Sequence, residues 1–117
     1  YKKLLGVDCS KIEEVASQGV KVAFFNTEAG KIELLQGMNA ESPISKFVEK
    51  RGEGMHHVGY LVEDIDASMK SLEKEGYRLL NDTPKRGANN KWICFLHPKD
   101  CNGVLTELCQ PMEKGNA

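Results

Sequence analysis

No apolar run in the 117-residue sequence approaches the roughly 20 residues needed to cross a bilayer, and Tyr1-Lys2-Lys3 begins no signal-peptide core. Charge of one sign is lacking too. Lysine and arginine number 16 against 17 acids, interspersed, for a net charge of -1, so no basic stripe exists to hold nucleic acid or an anionic membrane surface. The chain has neither a CxxC nor an HxxxH pair, and Cys9, Cys94, Cys101 and Cys109 stand too far apart for a zinc knuckle. At this length, with 40% hydrophobic residues, a single core does not need disulfides, so reduced thiols and an intracellular compartment are expected. Expected partners are small molecules, not nucleic acid or membrane.

Histidine is scarce, with three in the chain, and two of them fall in Gly52-Glu53-Gly54-Met55-His56-His57-Val58-Gly59-Tyr60-Leu61-Val62. The stretch reads as a strand. Alternation places His57, Gly59 and Leu61 on one face and His56, Val58, Tyr60 and Val62 on the other. The second set suits packing beneath a helix. His57 then lies beside a glycine on a face with room for a ligand. It is either a hydrogen-bonded strand histidine or a metal-binding or catalytic one.

In chain order, residues 1–5 read as the last turn of a helix closed by Gly6, and residues 7–15, 19–25 and 31–36 as strands. Ser42-Pro43 is a helix start, with Ile44, Phe47 and Val48 as its apolar stripe and Gly52 at its end. Asp64 caps a second helix in which Ile65, Met69 and Leu72 recur at helical spacing and Gly76 follows. Residues 77–80 read as a short strand, 81–90 as a polar loop containing Pro84 and Gly87, 91–97 and 104–109 as strands, and the end of the chain as a frayed tail.

A repeat runs through this order. Gly6 matches Gly76 and Lys21 matches Lys91 at an offset of 70, while Glu33-Leu34 matches Glu107-Leu108 at 74. Each half thus reads strand, helix, three strands, and the counterpart of His57 would precede Tyr1. An N-terminal truncation is inferred. Glu33 and Glu107 fall at equivalent positions on the last strand of each half, where a pseudo-twofold arrangement would bring them and His57 toward one cavity. A histidine and two carboxylates suit a divalent metal with open positions.

Residues 31–36, Gly52 to Tyr60, Pro84-Lys85-Arg86-Gly87-Ala88, Phe95-Leu96-His97-Pro98-Lys99-Asp100 and Gly103-Val104-Leu105-Thr106-Glu107-Leu108 together resemble the methylmalonyl-CoA epimerase family. That family is part of the vicinal-oxygen-chelate superfamily. The resemblance implies an α+β fold in which two βαβββ modules pair into a curved sheet around a cavity, the first module truncated at its N-terminus. Residues 1–110 would form one domain, with 1–36 the remainder of the first module, 37–54 a linker with a helix, 55–110 the second module, and 111–117 a tail.

By resemblance the cofactor is a divalent metal, Co2+ first and Zn2+ or Mn2+ as alternatives. His57 looks like the second-module ligand, Glu33 takes the place of a glutamine or glutamate ligand, and Glu107 that of the glutamate that is both ligand and base. The first-module histidine has no match. The second base is open, because some family members carry a glutamate where Val22 stands. Lys85, Arg86, His97 and Lys99 are placed to meet the acyl carboxylate or the CoA phosphates, and His56 is expected to be structural. The reaction implied is a 1,1-proton transfer at C2 of methylmalonyl-CoA through a metal-stabilised enolate. A homodimer in the cytoplasm, or in the mitochondrial matrix of a eukaryote, completes the expectation. The alternatives are another metal enzyme of the superfamily, of glyoxalase or dioxygenase type, and a metal-free binding module.

Overall fold

Ser42 begins a helix where the sequence predicts one. In the computed structural model, which describes residues 1–112, its Oγ accepts from the Ile44 N–H at 3.2 Å. The described chain divides into two compact units, Tyr1–Gly54 and a second starting at Met55. In the first, α1 (Lys2–Leu5) is one turn closed by Gly6 in the left-handed conformation (φ 72°), which a glycine adopts without steric cost. An antiparallel sheet follows in the order β1 (Lys11–Val15), β2 (Val20–Asn26), β3 (Lys31–Gly37). The strand predicted over 7–15 shortens to its last five residues, whose ladder to β2 runs from Val15 opposite Val20 to Lys11 opposite Phe24.

The central strand β2 carries the core of this unit, with Val20, Val22 and Phe24 buried along one face. The helix begun at Ser42, α2 (Pro43–Arg51), is amphipathic, buries Ile44 and rests on β3. Their approach requires Gly37. A Cβ there would overlap the Ser45 hydroxyl and stand 2.9 Å from the Ser45 backbone nitrogen.

The second unit is built from β4 (Val58–Leu61), α3 (Ile65–Lys74), β5 (Lys85–Gly87), β6 (Lys91–Leu96) and β7 (Thr106–Pro111), in the sheet order β4-β7-β6-β5. β4 runs parallel to β7, and the other pairs are antiparallel. Asp64 caps α3, its carboxylate accepting from the Ala67 N–H at 3.1 Å, and the Gln110 side chain accepts from Ile65 N–H at 2.7 Å, which ties the helix to β7. Ile65 and Met69 from the helix meet Cys94 and Leu108 from the sheet, with Val62, Leu72, Leu79 and Trp92 around them. Burial of the two helix residues stabilises the unit by about 1.5–3 kcal/mol each. The helix therefore takes the face bearing Cys94 and Leu108, and alternation turns Phe95, Glu107 and Gly59 to the other.

Several expectations are corrected. Residues 77–80 make only an isolated bridge, Leu79 to Leu96, and the second strand of the module is β5, inside the segment read as a loop. β5 lies at the sheet edge with three residues, so Pro84 before it and Gly87 at its end are tolerated where a central strand would exclude them. The His57 strand contracts to Val58–Leu61. Tyr60 shares the register of the helix-side residues Leu108 and Cys94, yet it is 58% exposed rather than packed beneath α3, because β4 is the edge strand. Of the predicted tail, Pro111 ends β7 and the Met112 N–H bonds to the Asn90 carbonyl, while residues 113–117 lie outside the described residues.

The repeat is visible in the ladders, with a shift of one. Glu33 pairs with Phe24 and Glu107 with Phe95, while Gln36 pairs with Lys21 and Gln110 with Trp92. Glu33 and Glu107 are thus equivalent, whereas the equivalent of Lys21 is Trp92 and not Lys91. Hydrogen-bond register sets the correspondence, and the similar lysines mislead by one residue.

Candidate active site

Three elements bring His57 and Glu107 together. Glu107 sits on β7 between Gly59 of β4 and Phe95 of β6, and His57 leads into β4 two residues before Gly59, on the same side. His57 Nε2 lies 3.8 Å from Glu107 Oε1, with side-chain exposures of 18% and 15%. The His57 ring meets Phe95 edge to face at 5.4 Å between centroids. Gly59 is required for this closeness, since a Cβ there would stand 3.0 Å from Glu107 Oε1 and 3.3 Å from Cys109 Sγ.

Burial first, and His56 second, depress the His57 pKa to about 4, and burial also lowers that of His56. His57 is therefore neutral at neutral pH. The 3.8 Å separation has the length of an ion pair but not the charge, and it exceeds a hydrogen bond. Its second ring nitrogen is engaged, with His57 Nδ1 at 2.9 Å from His56 Nδ1. On the glutamate, the Cys109 thiol donates to Oε1 at 3.1 Å. Cys109 was missed in the sequence as a site residue, although its place two residues after Glu107 on one strand puts it on the same face. Phe95, opposite Glu107, was missed for the same reason.

The family's expected divalent metal can be tested against these donors. Two ligand atoms on one ion with tetrahedral bonds of about 2.0–2.2 Å stand about 3.3–3.6 Å apart, so the neutral imidazole nitrogen and the carboxylate oxygen, facing each other at 3.8 Å, reach that spacing by closing a few tenths of an ångström. The pair fits a share of a metal site. Among the described residues no group of three or more His, Cys, Asp or Glu forms a complete one. Glu33 holds in the first unit the register position that Glu107 holds in the second, and it is exposed.

The four residues expected at the substrate are placed differently. Lys85 and Arg86 are exposed on β5, with the Arg86 guanidinium 5.7 Å from the centre of the Trp92 ring. His97 caps the turn Pro98–Asp100, its Nδ1 accepting from Lys99 N–H at 3.0 Å, and Lys99 is exposed. Asp100 of the same motif forms a two-pronged ion pair with Arg78, at 2.8 Å and 3.0 Å, and accepts from the Arg78 backbone as well.

A family model described as the glyoxalase/bleomycin resistance protein/dioxygenase superfamily matches residues 1–95. The ethylmalonyl-CoA/methylmalonyl-CoA epimerase of Cereibacter sphaeroides is 43% identical over 112 residues, covering 94% of this chain and 84% of its own length. The mitochondrial methylmalonyl-CoA epimerase of Mus musculus is 43% identical over 111 residues, or 94% of this chain, and the chain spans 62% of that relative's length. The crystal structure of methylmalonyl-CoA epimerase from Mycobacterium tuberculosis superposes with a TM-score of 0.91 at 36% identity, over 99% of this chain and 79% of the other.

Proposed function

This chain belongs to the glyoxalase/bleomycin resistance protein/dioxygenase superfamily and, within it, to the methylmalonyl-CoA epimerase family, and on that premise we propose that it interconverts the two C2 epimers of methylmalonyl-CoA. The single observation in the chain that carries the reading is the neutral His57 imidazole facing the Glu107 carboxylate on the sheet face opposite α3. Epimerisation removes the C2 proton from one face and returns a proton to the other. Glu107 takes that proton in the proposal. Its carboxylate is mostly withdrawn from water, which limits solvation of the anion, and the Cys109 thiol holds one oxygen in place.

His57 and Glu107 are the proposed metal-ligating side chains of the second unit, and Glu33 is a proposed ligand through the register position it shares with Glu107. A bound divalent ion would supply electrostatic stabilisation of the negative charge that develops on the thioester oxygen. An imidazole and carboxylates suit a divalent first-row ion, and resemblance to the family implies Co2+, with Zn2+ or Mn2+ as substitutes. Lys85, Arg86, His97 and Lys99 remain candidates for the anionic parts of the substrate, with the exposed Lys85, Arg86 and Lys99 suited to the CoA phosphates. The proposal includes residues 1–110 acting as one domain, a homodimer, checked by sedimentation velocity, and a cytoplasmic or matrix compartment. Among the described residues no helix is long and apolar enough to cross a membrane.

The decisive experiment is exchange of the C2 proton of methylmalonyl-CoA with deuterated water, in parent protein and in Glu107→Gln. A positioned general base contributes about 10²–10⁴ in rate, so the variant should lose at least that much turnover while remaining folded. Parent turnover retained in metal-loaded Glu107→Gln would remove Glu107 as the base. Absence of exchange in the parent would overturn the epimerase reading itself.

A further inference from the structure

His56 does not stand away from His57, as strand alternation predicts. Both histidines precede the first paired residue of β4, and their rings meet edge to face, with centroids 5.2 Å apart at 87° and Nδ1 to Nδ1 at 2.9 Å. A contact that short between two ring nitrogens needs one proton between them, since two lone pairs or two N–H groups would repel. With both rings neutral, two arrangements satisfy it. In one, His56 donates, so His57 carries its other proton on Nε2 toward Glu107. In the other, His57 donates from Nδ1, and its Nε2 presents a bare lone pair to the space beside Glu107 Oε1.

We propose that His56 is a positioning residue whose Nδ1 accepts the Nδ1–H of His57, so that His57 Nε2 is held as the free ligand atom facing Glu107. Metal-ligating histidines commonly hold their second nitrogen on a carboxylate or a backbone carbonyl. Here the ring of the preceding residue does that work. The proposal rests on the metal reading of this site. If a cation enters while His56 is the donor, the protons balance without net uptake. His57 Nε2 gives its proton to water, the shared proton crosses from His56 Nδ1 to His57 Nδ1, and His56 Nε2 takes a proton from water. Each ring is neutral before and after the three transfers.

The test is ¹⁵N NMR of histidine-labelled full-length protein, metal-free and titrated with Zn2+, in the parent, His56→Ala and His56→Gln. The parent should show His57 as the Nδ1–H tautomer and bind Zn2+ through Nε2. His56→Ala should shift metal-free His57 toward the Nε2–H tautomer and weaken Zn2+ binding about 10- to 100-fold, the usual effect of losing such a partner. His56→Gln, whose amide oxygen can accept the same hydrogen bond, should restore much of the affinity. Equal Zn2+ affinity in parent and His56→Ala, or ligation through His57 Nδ1, overturns the proposal. Should the parent bind no Zn2+, the metal reading of the site falls, and the metal-free tautomer alone decides the role of His56: a change in His56→Ala upholds it and no change overturns it.

Discussion

Gly59 shows how little space the site leaves. Its φ is not in the left-handed region, so alanine meets no backbone penalty there, and the whole effect of Gly59→Ala comes from a Cβ at 3.0 Å from Glu107 Oε1 and 3.3 Å from Cys109 Sγ. The end of a glutamate side chain can swing aside, so stability should fall by about 1 kcal/mol, the low end of the ordinary range for overpacking. The carboxylate, however, moves from its place against His57. Turnover in Gly59→Ala should therefore drop by about tenfold or more while the urea midpoint changes little, and a variant with parent kcat would show that the position of Glu107 is not critical. The sequence makes His57 and Glu107 legible as candidates through strand alternation and the repeat. It does not reveal the His56 contact, because alternation holds only for residues in a paired strand and both histidines lie before Val58.

Among the elements, the turn at Pro98–Asp100 is tied to the segment before β5 through the Asp100–Arg78 pair. The Arg78 guanidinium and backbone N–H hold the Asp100 carboxyl down to about 2 from an ordinary 3.8. A depressed acid binds fewer protons in the folded chain than in the unfolded one, so its stabilisation is fully present above about pH 4 and is lost as pH falls through about 2. Asp100→Asn should thus be less stable than the parent at pH 6, and the gap in urea midpoint should narrow as pH falls from 4 toward 2. A gap constant across that window would mean that the ionic part of the pair contributes nothing. β5 teaches a related lesson at this scale. Pro84, Lys85, Arg86 and Gly87 read as a loop because neither propensity nor alternation marks a three-residue edge strand, and only the antiparallel partner β6 makes it one.

For the whole molecule, a ligand that binds only the folded chain raises its stability, by about 2.7 kcal/mol at a hundredfold excess over Kd. Co2+ or Zn2+ should therefore raise the Tm of the parent, and chelation should reverse the rise. His57→Ala should abolish most of it, whereas an unchanged metal-dependent rise in that variant would place the metal elsewhere. What the sequence by itself determined is the local grammar: Ser42 and Asp64 as helix starts, Gly6 as a helix stop, the apolar spacing of α3, and the equivalence of Glu33 and Glu107. Each depends on residues near in the chain or on likeness between two stretches of it. What only the tertiary structure decided is register and company. The one-residue shift between β2 and β6, the exposure of Tyr60 on an edge, the Cys109 thiol on Glu107 and the second nitrogen of His57 on His56 all depend on which strands pair and which face the helix covers. A sequence pattern records the period of a strand, but the hydrogen-bonded ladder and the packing of α3 select its partner and its depth.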